Sequence, residues 1–317
     1  MRSLDHQTGA PPPQRFTTRV LLDFITAVIA RSARSVNGHL GHGLTLSAIQ
    51  HANVEHLSRD PHTSWAYAYV APPDSERRPI SVHALAETLS SSPETTRRHV
   101  DALVAAGLCV RLPGQGVIVP AGHFDTPSTT EQRGHLVTRF ASLISELRRV
   151  SFPLEARRPN AEPFRARLSD SPPPEFLIGR GVTHFVLRVI LDGIPVHGDY
   201  TTGVLFCMVM VENTRHFTYD PEVAWRFASA EQAPPDSLRR PAAARSIATA
   251  LGMPYTTARR RLNRMVESGR LECRDGGYIV PNRAMDSPVM LANGLRIHNW
   301  FLSMLNEFSA TGLDILN

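Results

Sequence analysis

The segment from Arg77 to Pro120 is written a second time from Arg239 to Pro281, offset by 162 positions. Leu85 falls on Ile247, Ala86 on Ala248, Leu89 on Leu251, Thr95 on Thr257, Arg97 and Arg98 on Arg259 and Arg260, and Gly107 on Gly269. A gap of one residue in the last loop brings Ile118-Val119-Pro120 over Ile279-Val280-Pro281. Solenoid repeats recur every ~20 to 50 residues. A period this long instead predicts a duplicated domain.

Within the first copy, Ser81 is placed to cap a short helix whose apolar positions Val82, Leu85, Ala86 and Leu89 follow helical spacing. Ser92-Pro93-Glu94-Thr95 is a second helix start, with a side-chain oxygen at the cap, proline where its missing N–H costs nothing, and a carboxylate at the positive end of the dipole. Thr96, Val100, Leu103 and Val104 make the buried stripe of that helix, and Gly107 is placed to end it. Cys109-Val110-Arg111-Leu112, Pro113-Gly114-Gln115-Gly116 and Val117-Ile118-Val119 then read as strand, tight turn and strand. The second copy offers Leu271-Glu272-Cys273-Arg274, Asp275-Gly276-Gly277 and Tyr278-Ile279-Val280. Two short helices with arginines on the outer side of the second, followed by a hairpin, predict a winged helix-turn-helix. The expected fold is mainly α with small β wings, as two tandem winged helices at about residues 79–121 and 241–282.

The run from Leu85 through Thr95, Arg97, Leu103, Gly107 and Leu108 to Gly114 resembles the winged helix-turn-helix of bacterial regulators of the GntR and MarR kind, over about 45 residues in each half. That resemblance implies recognition helices in major grooves and wings on flanking backbone or minor groove. The residues expected at DNA are Ser92, Thr95, Arg97, Arg98, Arg111 and Gln115 in the first copy. In the second they are Tyr255, Thr256, Thr257, Arg259, Arg260, Arg261, Arg264 and Arg274. Glu94 and Asp101 place negative charge on the first recognition helix, whereas the second carries no acid before Glu267. The two helices also differ in sequence, which predicts an asymmetric operator. A sequence-specific, double-stranded DNA-binding transcription regulator in a bacterium is the leading expectation. A plasmid-type replication initiator with two winged helices per chain is one alternative. A protein-interaction scaffold of chromosome-associated complexes is the other.

Charge placement matters here more than charge total. Net charge is only +5, and all 34 basic residues are arginine, a bias most simply explained by nucleotide composition although arginine is also the better fork for guanine edges and phosphates. Cys109, Cys207 and Cys273 have no paired spacing, which points to a reducing compartment. The longest uncharged apolar run, Gly203 to Val211, is too short to span a membrane, and Met1-Arg2-Ser3-Leu4-Asp5 does not open a signal peptide. A cytoplasmic, nucleoid-associated protein is therefore expected. The sequence carries no phosphate loop, no metal-ligand spacing and no nucleophile motif, so neither an enzyme, a cofactor nor a metal is expected.

Outside the repeated units, residues 1–15, with Pro11-Pro12-Pro13, read as a disordered tail. Phe16, Val20, Leu21, Phe24, Ile25 and Val28 lie on one helical face, and a similar face returns at Phe185, Val189 and Ile190. Domains at 16–150 and 180–317 follow, each able to fold by itself, joined by a proline-rich linker at 151–179. Asn53, His56, Asp60-Pro61 and Trp65 recur as Asn213, His216, Asp220-Pro221 and Trp225. The structural reading is a capped helix anchored by tryptophan; the sharper one is an effector pocket formed by Asn53, His56, Trp65, Asn213, His216 and Trp225. Leu136, Phe140, Leu143 and Leu147 form an apolar seam repeated by Ile297, Phe301, Met304 and Phe308. These two helices either meet each other, giving an internal pseudo-dimer, or carry a homodimer.

Overall fold

The computed structural model describes residues 14–36, 39–149, 152, 154, 165–229 and 232–316; of the expected tail, residues 1–13 lie outside the described residues. The chain is mainly helical with small two-stranded sheets. Its first half runs α1 (Gln14–Ser35), α2 (Leu40–Val54), α3 (Pro61–Ala66), α4 (Val82–Thr88), α5 (Pro93–Ala105), the hairpin β1 (Val110–Leu112) and β2 (Gly116–Ile118), and α6 (Pro127–Arg149). After β3 (Ala166–Arg167), the second half runs α7 (Glu175–His197), α8 (Tyr200–Thr218), α9 (Pro221–Arg226), α10 (Ala244–Leu251), α11 (Tyr255–Glu267), the hairpin β4 (Glu272–Arg274) and β5 (Gly277–Ile279), α12 (Asn282–Met285), α13 (Pro288–Thr311) and β6 (Leu313–Asp314).

Local chemistry sets the boundaries of these elements. Ser81 Oγ accepts the Ala84 N–H at 3.1 Å to start α4, and Ser92 Oγ accepts the Thr95 N–H at 3.1 Å to start α5. Asp60 and Asp220 cap α3 and α9 in the same way, each with proline in the first turn. Gly107 and Gly269 follow α5 and α11 at φ of 72° and 74°, a backbone region that a side chain disfavours. Both hairpins are antiparallel, and each takes an extra bridge on its inner edge, Ile80 to Val117 and Ala242 to Tyr278.

Two buried asparagines clamp the hairpins to the helices behind them. Asn53, at the end of α2, donates from Nδ2 to the Arg78 and Val117 carbonyls at 2.8 and 3.2 Å and accepts the Val119 N–H at 2.9 Å. Asn213 on α8 repeats this with the Arg240 and Tyr278 carbonyls at 2.7 and 2.9 Å and the Val280 N–H at 2.9 Å. Neither side chain is accessible to solvent, so truncation strands buried partners. Asn213→Ala is expected to lower stability by about 2–4 kcal/mol. A urea melt with an unchanged midpoint would contradict the clamp.

Packing corresponds between the halves and also crosses between them. Within each half, α1 lies on α2 as α7 lies on α8, and α2 and α8 carry α5 and α11 respectively. Across the halves, α1 packs on α8 and α7 on α2. One core cluster spans the halves, holding Phe16, Phe24 and Phe140 from the first with Phe185, Phe301 and Phe308 from the second, and another joins Leu85, Val100, Leu103 and Val117 of the first half to Leu187 of α7. The expected domains at 16–150 and 180–317 thus pack against each other through their leading helices, each of which buries its apolar face against elements of both halves.

Two further expectations are corrected. Of the expected linker at 151–179, residues 151, 153 and 155–164 lie outside the described residues; among the others Phe152, Leu154, Ala166 and Leu168 are buried, Ala166–Arg167 pairs in parallel with Leu313–Asp314, and α7 begins at Glu175. Its prolines interrupt periodicity, but isolated apolar residues between them still dock. Nor are the seams at Leu136–Leu147 and Ile297–Phe308 free for a homodimer. Phe140 meets Phe308 at a ring separation of 5.6 Å, Phe301 packs against Phe152 and Phe185, and Leu143, Leu147 and Met304 are buried within the chain. Among the described residues, no helix is long and apolar enough to cross a membrane.

Candidate nucleic-acid interface

The two outward helices α5 and α11 carry opposite kinds of surface. On α5, Ser92, Arg97 and Arg98 are exposed and Thr95 half-buried, with Arg111 and Gln115 exposed on the hairpin. Ser92 and Thr95 are occupied with each other at the cap, their hydroxyls 2.8 Å apart. Arg97 forks onto Glu94 with contacts at 3.0 and 3.2 Å and approaches Asp101 at 3.7 Å, while Arg111 reaches the other Asp101 oxygen at 2.5 Å. The acids therefore close a chain of charge along this face. Only Arg98 stands outside it. A DNA phosphate has to displace those carboxylates before Arg97 or Arg111 can bind it, at a cost in affinity.

On α11, Ala258, Leu262 and Met265 face the core, which leaves Arg259, Arg260 and Arg264 exposed on the other side. Arg260 and Arg264 are one turn apart, so their guanidinium groups share one face. Tyr255 and Thr256 are exposed at the start of the helix and Thr257 is half-buried; Arg245 of α10 stacks over the Tyr255 ring at 5.0 Å and extends the basic surface. Arg259 interacts with the Tyr278 hydroxyl, which donates to Asn263 Oδ1 at 2.7 Å. Among the described residues, the sole α11 arginine in an ion pair is Arg261, which contacts Asp199 at 2.8 Å and the Thr202 hydroxyl at 2.9 Å. Arg261 is thereby turned toward the cap of α8 and away from Arg260 and Arg264. Arg274 on the hairpin is likewise engaged, with the Asp236 carbonyl at 3.0 Å and Glu272 at 3.5 Å.

The six residues grouped as an effector pocket are not brought together. Asn53 and Asn213 are spent on the hairpin clamps. Trp65 of α3 stacks edge-on with Tyr69 and lies under Arg165, while Trp225 belongs to α9. His56 and His216 are half-buried with Nδ1 unpartnered, and both are held below the ordinary histidine value, first by burial and then by Arg78 and Arg240 respectively. A cavity of about 830 Å³ is lined instead by residues such as Arg31, Arg77, His51, Leu136, Phe176 and Arg180, and by none of the six.

Two other histidines link stability to pH. His51, stacked on His184 at 4.7 Å, is held down to about 4, first by burial and then by His184. His197, in contact with Arg270, is also held down to about 4, by burial and then by that arginine. In the unfolded chain both titrate near the ordinary histidine value of 6.5. Above that pH neither state is charged. Below it the unfolded chain takes up protons that the folded state refuses, so stability falls as pH drops from about 6.5 to about 4. A urea midpoint that stays flat across this window would contradict the assignment.

No protein-family model, curated protein or solved structure matches the chain.

Proposed function

We propose that the chain is a sequence-specific, double-stranded DNA-binding regulator of transcription in a bacterium, built as an internal duplication of a winged-helix unit. The observation that carries this reading is α11, where exposed Arg260 and Arg264 share one face without an acidic partner among the described residues, and where Arg245 stacks on Tyr255 at the start of the helix. Two features support the winged-helix and duplication parts. Each half presents helix, helix and hairpin in the same order, the asparagine clamps make corresponding hydrogen bonds, and the packing partners correspond element by element. On this reading α11 is the principal reader. Helix α5 is the weaker one, with Arg97 and the neighbouring hairpin residue Arg111 screened by Glu94 and Asp101.

Fluorescence anisotropy of the full chain on double-stranded DNA, repeated at increasing salt, tests the claim. A steep fall of affinity with salt is expected, since each neutralised phosphate contributes a slope of about −0.9. Absent or salt-insensitive binding would transfer the two units to the protein-scaffold reading.

A further inference from the structure

Three histidines from two helices converge at the foot of α2. His39 is the N-cap of α2 and accepts the His42 N–H on Nδ1 at 3.2 Å. His42 lies in the first turn, stacked on His39 with ring centroids 3.9 Å apart. His99 arrives from α5, its ring 5.4 Å from His39 and 5.2 Å from His42, both edge-on. One donor nitrogen from each ring lies within 4.8 Å of the other two.

The surroundings hold His99 in place. A Cβ on Gly41 would meet His99 Cε1 at 2.5 Å, His99 Nε2 at 3.0 Å and the Tyr200 hydroxyl at 3.0 Å, so the imidazole occupies the space that a glycine leaves between the two α2 histidines. The Thr45 hydroxyl sits 3.3 Å from His99 Nδ1. A proton on Nδ1 directed at that hydroxyl leaves the Nε2 lone pair free beside His39 and His42, the tautomer selection that second-sphere partners of metal-bound histidines provide. Burial first, and for His99 then His42 and His39, hold the three imidazoles below the ordinary histidine value, so they carry free lone pairs at neutral pH.

We propose that His39, His42 and His99 bind one divalent first-row transition cation of the zinc class, which staples α5 to the start of α2. Three imidazoles with no carboxylate in the group suit zinc, cobalt, nickel or copper and not the hard, oxygen-seeking calcium or magnesium. Bonds of about 2.0–2.1 Å to zinc require the donors to close in by roughly an ångström. His39, exposed at a helix cap, supplies that movement by releasing the His42 N–H. A fourth position remains for water or a small ligand. The Tyr200 hydroxyl reaches the same spot from the start of α8, whose cap Asp199 holds Arg261 of α11. The ion would thus sit where both outward helices are tethered. Only this last consequence rests on the DNA-binding reading; cation binding is read without DNA.

The test is a titration of the metal-stripped full chain with Co2+, followed by its visible absorption and by displacement with Zn2+. One equivalent of cobalt per chain is expected, displaced by zinc, with zinc raising the melting temperature. His99→Asn and, separately, His42→Asn should weaken binding by about 100-fold or more, beyond the 10- to 100-fold typical of losing an outer-sphere partner. His123→Asn and His135→Asn serve as controls among the 14 histidines and should leave it unchanged. Circular dichroism identifies any variant that fails to fold; Gly41→Ala, crowding the site from the opposite side, then replaces it and should also weaken binding. No saturable cobalt binding, or binding equal in the wild type and the folded histidine variants, would overturn the proposal.

Discussion

Replacing Arg260 and Arg264 together with alanine is expected to weaken DNA binding by about 30-fold or more, and to reduce the salt slope by about one for each phosphate contact removed. Both side chains are exposed on the outer face of α11, with no carboxylate to release before engaging a groove. At about 1–3 kcal/mol for each contact to a base edge, two such losses come to about 2–6 kcal/mol. Arg97→Ala should do much less, because its guanidinium is already neutralised by Glu94 and Asp101. Arg261→Ala should act differently again, loosening α11 from the α8 cap at Asp199 without removing charge from the outer face. Anisotropy titrations of these variants at two salt concentrations separate the cases. Equal losses for Arg97→Ala and the Arg260/Arg264 pair would mean that α11 is not the principal reader.

The second large effect concerns the shared core. Phe140 is fully buried on α6, 5.6 Å from the Phe308 ring of α13 and 6.3 Å from the Phe24 ring of α1. Phe140→Ala is expected to destabilise the chain by about 3–5 kcal/mol, since the cavity opens between rigid helices of both halves. The loss should register in both halves together. Trp65 on α3 reports on the first half and Trp300 on α13 on the second, so melts of single-tryptophan versions of the variant should shift in parallel. Two separated transitions, with only the first half weakened, would restore the picture of independent domains.

Much of the local structure was legible in the sequence because it depends on neighbours along the chain. Ser81, Ser92, Asp60 and Asp220 cap helices three or fewer residues ahead, and Gly107 and Gly269 mark helix ends through backbone freedom alone. What depends on distant partners was not legible. The apolar face of α1 signalled burial but not that α8 would cover it, and the prolines of 151–179 hid the docking of Phe152 and Leu154. Arg261 sits among free arginines in sequence, yet its partner Asp199 lies 62 residues away. The neutralisation of Arg97 by Glu94 was visible at helical spacing, whereas the reach of Asp101 to Arg111 required the hairpin to fold back. His39 and His42 carry a local spacing, but the third member comes from α5, so no motif announced the group.

Genome-wide crosslinking of the protein to DNA in its own cells, followed by sequencing of the bound fragments, tests the central claim most directly. Discrete sites upstream of genes are predicted, sharing a bipartite and asymmetric sequence because α5 and α11 present different residues, and lost from the Arg260/Arg264 variant. Bound DNA indistinguishable from the unselected genome, or a site set unaffected by those two substitutions, would contradict it.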